Sequence, residues 1–158
     1  MFRIAIWFAE EAGDKMSMMV TISAESAESG FLRARVTGSF SLSEAQRTFI
    51  EILEAVARTK VKKVLLDGRG IAGNPELIER FYYGEFAAHA VWDFTDHGVS
   101  HGTRFAYVLE VPVLDPRRFA ETVAVNRGMF VKAFDNEQDA LAWLRIPQAS
   151  KPAARGAK

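Results

Sequence analysis

The segment from Val61 to Trp92 constrains the fold of this chain more than any other part of it. A short apolar run, Val64–Leu66, ends at Asp67, and a glycine-rich stretch follows. Asn74-Pro75 then offers an N-cap residue and a proline at the first helical position, a combination that favours the start of a helix. The segment therefore predicts a buried strand, a turn and a helix over Glu76–Trp92, rich in aromatic residues.

The rest of the chain alternates strands with helices around this unit. Hydrophobic patterns of period two and period 3.6 predict four more strands and three more helices. The strands are Met18–Ser23, Phe31–Thr37, Arg104–Glu110 and Met129–Phe134, and the helices run from Ser41 to about Thr59, from Arg117 to Arg127 and from Asp135 to Leu144. The order β-β-α-β-α-β-α-β-α predicts an α/β fold, a mixed five-stranded sheet with an antiparallel hairpin at the front and helices packed on it.

Capping residues mark the starts and stops of these helices. Ser41 and Glu44 have the spacing of a capping box, in which the serine accepts a free amide and the glutamate reaches back to the cap. Asp115-Pro116 repeats the signal of an N-cap followed by proline, and Asp135 caps the last helix. Gly128 is the expected left-handed stop of the third helix.

Composition limits the classes of function open to this chain. Its 158 residues suit one domain, and its 20 basic residues balance 20 acidic ones, which argues against a nucleic-acid module that depends on bulk charge. The sequence has no cysteine, so it forms no disulfide, thiol nucleophile or thiolate metal site. No apolar run reaches the roughly 18 residues of a membrane span, so we expect no integral membrane segment.

The two ends differ in composition from the central part. We divide the chain into an N-terminal extension over residues 1–17, a domain over residues 18–145 and a disordered tail over residues 146–158, which is basic and has no apolar period. The first apolar run is too short for a signal peptide, which predicts a cytoplasmic protein. Met16, Met18 and Met19 also allow translation to start later than Met1.

Four segments between Met18 and Leu144 form a set: VLLDGRGIAG, ERFYYGEFAA, ETVAVNRGMFVKAF and DNEQDALAWL. Together they resemble the SpoIIAA-like bacterial proteins of the STAS fold, relatives that also carry a SEC14 label. The resemblance implies a STAS-like cytoplasmic module that binds a partner or a small ligand. In the anti-sigma antagonists of this fold, a phosphorylatable serine starts the helix after the central strand. This chain has no serine or threonine between Asp67 and Trp92, so the resemblance implies a module without that phosphoacceptor.

The first candidate site is the stretch Asp67–Asn74. Ligands of open α/β sheets bind beyond the carboxyl ends of the strands, and free amides at a helix N-terminus favour an anion. The candidate residues are Asp67, Arg69 and Asn74, and Arg69 would add positive charge. The alternative is that the glycines only make a turn that the fold needs in any case.

The second candidate site is the aromatic side of the following helix. One core stripe is already complete with Leu77, Phe81, Gly84, Ala88 and Val91. The candidate residues beside it are Tyr82, Tyr83, Phe86, His89 and Trp92. Tyrosine and tryptophan favour interfaces with a wet edge. Three interpretations stay open: core packing under a covering loop, a homodimer contact, and an apolar ligand pocket.

Two further clusters have weaker chemical signatures. Glu85 and His89 are neighbours on one helix face and could transfer a proton, although such pairs are more often structural. Asp93, Asp96, His97 and His101 could ligate a metal, although their spacing matches no standard site. We predict no catalytic residue, no metal site and no cofactor.

These observations favour a non-enzymatic regulatory module. A homodimer or another protein would contact the stretch Asp67–Asn74 and the helix after it, and a ligand would be small and either apolar or anionic. The alternative is a small-molecule or lipid carrier with an apolar pocket beside the helix over residues 76–92. An enzyme is the least favoured class, because no set of nucleophile, base and oxyanion donor can be assembled from spacing.

Overall fold

The computed structural model describes residues 16–23 and 30–148 of the chain. Residues 1–15 of the expected N-terminal extension and residues 149–158 of the expected disordered tail lie outside the described residues. The predictions for these two ends therefore stay predictions.

Within the described residues, five strands and four helices follow one another in the predicted order. The strands are β1 (Met19–Ser23), β2 (Leu32–Ser39), β3 (Lys63–Ala72), β4 (Arg104–Val108) and β5 (Phe130–Phe134). The helices are α1 (Leu42–Thr59), α2 (Leu77–Asp93), α3 (Phe119–Asn126) and α4 (Glu137–Leu144), and a 3-10 turn at Phe94–His97 follows α2.

The strands form one sheet in the order β1-β2-β3-β4-β5. β1 runs antiparallel to β2, and each later pair is parallel. Parallel neighbours need a long crossover, which α1, α2 and α3 supply in turn. The mixed sheet with an antiparallel hairpin at its front is therefore confirmed.

The sheet buries a hydrophobic core on each face. α1, α2 and α3 belong to the core of one face, where Phe49 and Phe105 are fully buried. α4 covers the other face over β3, β4 and β5, where Leu65 and Leu144 are fully buried. Because side chains alternate along a strand, β3 contributes Leu66 to the first core and Leu65 to the second.

β3 is longer than predicted, and this corrects the expected turn. The strand continues past Asp67 to Ala72. Gly68 and Gly70 lie inside it, and a Cβ on either glycine would lie 2.7 Å from a neighbouring side chain. These two glycines therefore serve close packing within the sheet. The chain turns at Gly73, directly after β3. The φ of Gly73, +121°, is in the region that favours glycine.

The capping predictions for α1 and α2 hold only in part. Ser41 accepts a hydrogen bond from the Glu44 amide as predicted, but the Glu44 carboxylate accepts from the amide of Met18 at 2.7 Å instead of reaching back to the cap. This hydrogen bond links the residue before β1 to the first turn of α1. α2 is capped by Glu76 and Glu79, and Asn74 lies before the helix without capping it.

α3 and α4 also begin later than predicted. Asp115 accepts hydrogen bonds from the amides of Arg117 and Phe119, but the N-cap itself is Arg118, with φ of 55°, and α3 begins one residue after it. α4 is capped by Asn136, whose side chain accepts from the Asp139 amide at 2.8 Å, and Asp135 lies outside the cap. The left-handed Gly128 follows α3, as predicted.

Candidate functional site

The candidate residues lie on two sides of the sheet. Arg69 pairs with Asp67 and with Glu137 of α4 on one face. Tyr83 and Phe86 pack against the core of the opposite face. Asp67 and Arg69 therefore lie on the opposite face of the sheet from Tyr83 and Phe86, whereas Asn74 lies beside Arg80 of α2.

A charged cluster, consisting of Arg33, Arg35, Asp67, Arg69 and Glu137, lies on the α4 face. The Asp67 carboxylate accepts hydrogen bonds from the Arg69 guanidinium at 2.9 Å from Nε and 2.8 Å from Nη2, and a third from the Arg69 amide. Glu137 bridges Arg69 and Arg33 at 3.1 and 3.0 Å. Arg35 Nη2 lies 3.9 Å from Asp67 Oδ2. Asp67, only 5% exposed, is thus a buried carboxylate with charged partners.

Within the charged cluster, Asp67 and Arg69 hold each other in their ionised forms. Side-chain hydrogen bonds from Arg69 lower the pKa of Asp67 below its usual value, and they outweigh burial, which acts in the opposite direction. The hydrogen bond to Asp67 in turn raises the pKa of Arg69. Asp67 is therefore poorly suited to proton transfer near neutral pH, and its role in this geometry is that of a structural ion pair.

The N-terminus of α2 already holds carboxylates of the chain itself. The Glu76 side chain accepts from an amide of the first turn, and the Glu79 side chain accepts from the Glu76 amide at 2.8 Å. Asn74 is exposed, and its Oδ1 lies 3.5 Å from Arg80 Nη2. An anion at this end of the helix would compete with these carboxylates for the amides.

The candidate aromatic residues of α2 divide between core and surface. Tyr83 and Phe86 are partly buried against the core. Tyr82 and Trp92 are 47% and 54% exposed, and His89 between them is exposed as well. α2 therefore carries more aromatic surface than the core takes up.

The predicted core stripe of α2 is wrong at its first residue. Leu77 is 64% exposed, although Gly84, two stripe positions further on, is buried. A Cβ on Gly84 would lie 2.5 Å from the Ala120 carbonyl oxygen in the first turn of α3, and a Cβ on Gly128, after the end of α3, would lie 3.8 Å from Trp92 Nε1. The two helices therefore run alongside each other in the same direction, and α3 begins too late to cover Leu77.

A cavity of about 130 Å³ lies between α1, α2, α3 and the sheet. Its lining is mainly apolar and includes Val36, Leu66 and Ala124. Tyr83 and Tyr107 also line it, and their hydroxyl oxygens lie 2.6 Å apart. Burial raises the pKa of both tyrosines, so both hydroxyls stay neutral.

Two of the remaining polar candidates contact residues outside their predicted clusters. Glu85 Oε2 lies 3.5 Å from Arg127 Nη2, so Glu85 has a cation beside it in addition to its helical neighbour His89. The His101 ring lies 4.3 Å from the Trp92 ring, centroid to centroid. Within residues 16–23 and 30–148, no group of three or more histidine, aspartate or glutamate side chains could hold a metal ion, and this includes the segment from Asp93 to His101.

Comparison with solved structures identifies this architecture. A crystal structure described as an anti-sigma factor antagonist from Mycobacterium paratuberculosis matches with probability 1.00 and a TM-score of 0.51. The match covers 82% of this chain and 95% of that chain, at 14% sequence identity. The chain has the STAS fold. No family model matches the sequence, and no curated protein is significantly similar to it.

This structural match confirms the fold class that the sequence predicts and the resemblance to proteins of the STAS fold. The described residues contain no helix that is both long enough and apolar enough to cross a membrane. This agrees with the absence of a long apolar run in the sequence.

Sequence reasoning missed three residues of this STAS domain. Glu137 joins the charged cluster from α4, but it reads in sequence as an ordinary acidic residue in a first helical turn. Tyr107 lies inside an apolar strand, two residues after Phe105. Because side chains alternate between the faces of a strand, this spacing could have placed Tyr107 in the same core as Phe105. Arg80 donates to the carbonyl oxygens of Val113 and Pro112 at 2.9 and 2.7 Å. Because every residue has a backbone carbonyl, no residue type in the sequence indicates this contact.

Proposed function

We propose that this chain is a non-enzymatic regulatory module that binds a protein partner through the exposed α2 surface, defined as Ile78, Tyr82, His89 and Trp92. The supporting observation is the exposure of three large apolar side chains on this surface, at 51%, 47% and 54% for Ile78, Tyr82 and Trp92. Spacings of three, four and seven residues put these positions on one side of the helix.

A row of exposed apolar side chains differs from ordinary surface exposure. Single exposed apolar residues are normal in folded proteins, whereas adjacent ones favour a contact surface. Tyrosine and tryptophan are enriched in interfaces, because each provides a large apolar body and a polar group at the wet edge. Leu77, also exposed, extends the apolar area at the start of α2.

The other groups of the domain favour binding over catalysis. Asp67 and Arg69 are engaged with each other, and Glu85 lies beside Arg127. The structural neighbour is described as an antagonist of an anti-sigma factor, a description that names a protein as its target. A protein partner is therefore the natural proposal for a chain of the same fold, with a second copy of this chain as the first partner to test.

The proposed contact does not depend on phosphorylation at the start of α2. The residues before this helix are Gly73, Asn74 and Pro75, and no serine or threonine occurs between Asp67 and Trp92.

The test is the molar mass of the purified chain, measured by light scattering during size exclusion over a range of concentrations. The wild-type chain should have the mass of a dimer, and Ile78→Glu and Tyr82→Glu should have the mass of a monomer, because each buries a charge in the contact. Tyr83 and Phe86 are unsuitable for this test, since both pack against the core.

The matched control is Met19→Glu. Met19 is 63% exposed and lies in β1, an edge strand of the sheet. This variant should keep the dimer mass. A wild-type chain that stays monomeric would contradict the homodimer, and equal effects of all three substitutions would contradict the assignment to α2.

A small-molecule carrier is the second candidate, and the cavity beneath α2 favours it. An engineered apolar cavity of about 150 Å³ binds benzene, so a cavity of this order suits a ring-sized molecule better than a lipid tail.

A further inference from the structure

The lining of the cavity beneath α2 contains five polar side chains, and three of them already form hydrogen bonds with the backbone. Thr48 donates its hydroxyl proton to the Ala45 carbonyl oxygen at 3.0 Å. Arg80 donates to backbone carbonyl oxygens, and Glu121 accepts from the Ala133 amide at 2.9 Å. The two that remain are Tyr83 and Tyr107.

The tyrosine pair has one hydrogen-bond donor more than it uses. Each hydroxyl carries one proton, and the 2.6 Å contact between the two oxygens uses one of the two protons. Whichever tyrosine donates to the other, the second proton needs a further acceptor. The hydroxyls stay protonated, because burial raises the pKa of both groups. The pair therefore presents a permanent neutral donor at the cavity.

Water is a poor occupant of such a space. A buried water molecule needs two to four polar partners, and the only polar side chains among the described lining residues without a hydrogen bond to the backbone are Tyr83 and Tyr107. The lining side chains offer the tyrosine pair, while the groups around it are aliphatic or aromatic, such as Leu66, Ala87 and Val131. A molecule with an apolar body and one acceptor matches the lining better than water does.

The cavity also lies where the STAS sheet can admit a ligand. Its lining residues Phe40, Ile71 and Leu109 are only partly buried, and they lie at or just beyond the carboxyl ends of β2, β3 and β4. Open α/β sheets bind ligands at this end of their strands. The partly buried residues therefore mark a route from solvent to the tyrosine pair.

We infer that this cavity binds a small neutral molecule, about the size of one aromatic ring, whose single hydrogen-bond acceptor accepts the free proton of the Tyr83–Tyr107 hydroxyl pair. The site is separate from the proposed partner contact, because the cavity lies under the inner side of α2 and the contact lies on its outer side. The two proposals can therefore fail independently.

The experiment titrates the full chain with three probes of equal size, observed by amide chemical shifts in nuclear magnetic resonance. Acetophenone has a ring and a carbonyl, α-methylstyrene replaces the carbonyl by a methylene group, and benzoate replaces the methyl ketone by a carboxylate. Acetophenone should bind with a Kd roughly 2- to 12-fold lower than that of α-methylstyrene, as one neutral hydrogen bond predicts. Benzoate should bind most weakly, because its charge must be desolvated. Shifts should be confined to residues around the cavity.

Two variants test the assignment of the site. Tyr83→Phe/Tyr107→Phe should bind acetophenone and α-methylstyrene equally, and Ala87→Leu, which fills the cavity, should bind neither. Amide spectra of the free variants report whether they fold, and if Ala87→Leu does not fold, the double phenylalanine variant alone decides. The inference is overturned if the wild-type chain binds none of the probes, if benzoate binds tightest, or if the preference for acetophenone survives the loss of both hydroxyls.

Discussion

Asp67 connects β3 to α4 through a short chain of charges. Its carboxylate binds the Arg69 guanidinium, which also reaches Glu137 in the first turn of α4. The Asp67 side chain is buried, whereas Arg69 and Glu137 keep about a third of their side-chain surface exposed. Among the residues of the charged cluster, Asp67 should therefore contribute most to the free energy of unfolding, because a buried charged group is the one most affected by the loss of its partner.

Replacement of Asp67 by asparagine should lower the free energy of unfolding by about 1–2 kcal/mol, because the amide keeps the size of the side chain but leaves Arg69 less well compensated. Unfolding in urea, followed by circular dichroism, measures this difference. Glu51→Gln is the matched control, since its pair with Arg47 is exposed on both sides. That control should change the free energy by less than about 0.5 kcal/mol. Equal losses in the two variants would contradict the special role of Asp67.

The contribution of Asp67 should also depend on pH in a defined direction. The pKa of Asp67 is lower in the folded chain than its ordinary value, chiefly through the hydrogen bonds from Arg69. Its stabilising contribution is therefore complete above the ordinary pKa of an aspartate and is lost as the pH falls through the folded pKa. The gap in unfolding free energy between wild type and Asp67→Asn should shrink from about pH 5 downward. A gap that stays constant or widens in acid would contradict this ion pair.

At the scale of elements, α2 and α3 pack closely at Gly84. Gly84 lies where these helices meet, and an added Cβ would approach the Ala120 carbonyl oxygen to 2.5 Å and the Val123 Cβ to 3.2 Å. The nearer of these two atoms, the Ala120 oxygen, belongs to the backbone, which cannot move aside as a flexible side chain can. The absence of a side chain at residue 84 therefore sets how α2 lies against α3.

Overpacking against the Ala120 backbone should cost the Gly84→Ala variant about 2–3 kcal/mol, the upper part of the usual range. This loss should exceed the gain of about 1 kcal/mol that alanine brings to a helix interior, so the net effect remains a loss. Thermal and urea unfolding measure it. Gly102→Ala is the control, because a Cβ there would meet its nearest neighbour at 3.8 Å. A Gly84→Ala variant as stable as the wild type would show that the helices can move apart at no cost.

The elements differ in how far their sequence alone predicts them. The apolar stripe of α1 and the alternation of β2 are local patterns, and both elements occur within two residues of the predicted bounds. The continuation of β3 past Asp67 could not be predicted, because Gly68 and Gly70 are needed only once neighbouring side chains lie against them. The Glu44 carboxylate, which binds the Met18 amide, likewise depends on a contact between distant parts of the chain.

At the scale of the whole molecule, the sheet divides the domain into two functional sides. The charged cluster and α4 lie on one side, and α2 with the cavity lies on the other. The sequence predicts which residues are chemically distinctive, namely Asp67, Arg69 and the aromatic residues of α2. It could not predict that the sheet separates them, since the face on which a residue lies after the glycine-rich stretch depends on where β3 ends.

The same division gives α2 an inner and an outer side. Its inner side contributes Tyr83, Gly84 and Ala87 to the lining of the cavity. Its outer side carries Ile78, Tyr82 and Trp92 in solvent. A ligand in the cavity would lie directly beneath the helix that is proposed to bind the partner, so occupancy of one site could influence the other through the position of α2.

The most direct test of the central claim is the mass of the wild-type chain beside that of Tyr82→Glu, measured by light scattering at matched concentrations with Met19→Glu as control. A dimer for the wild type and the control, with a monomer for Tyr82→Glu, is the predicted result. A wild-type monomer at every concentration, or a dimer that Tyr82→Glu and Ile78→Glu leave intact, would contradict a homodimer through the exposed α2 surface.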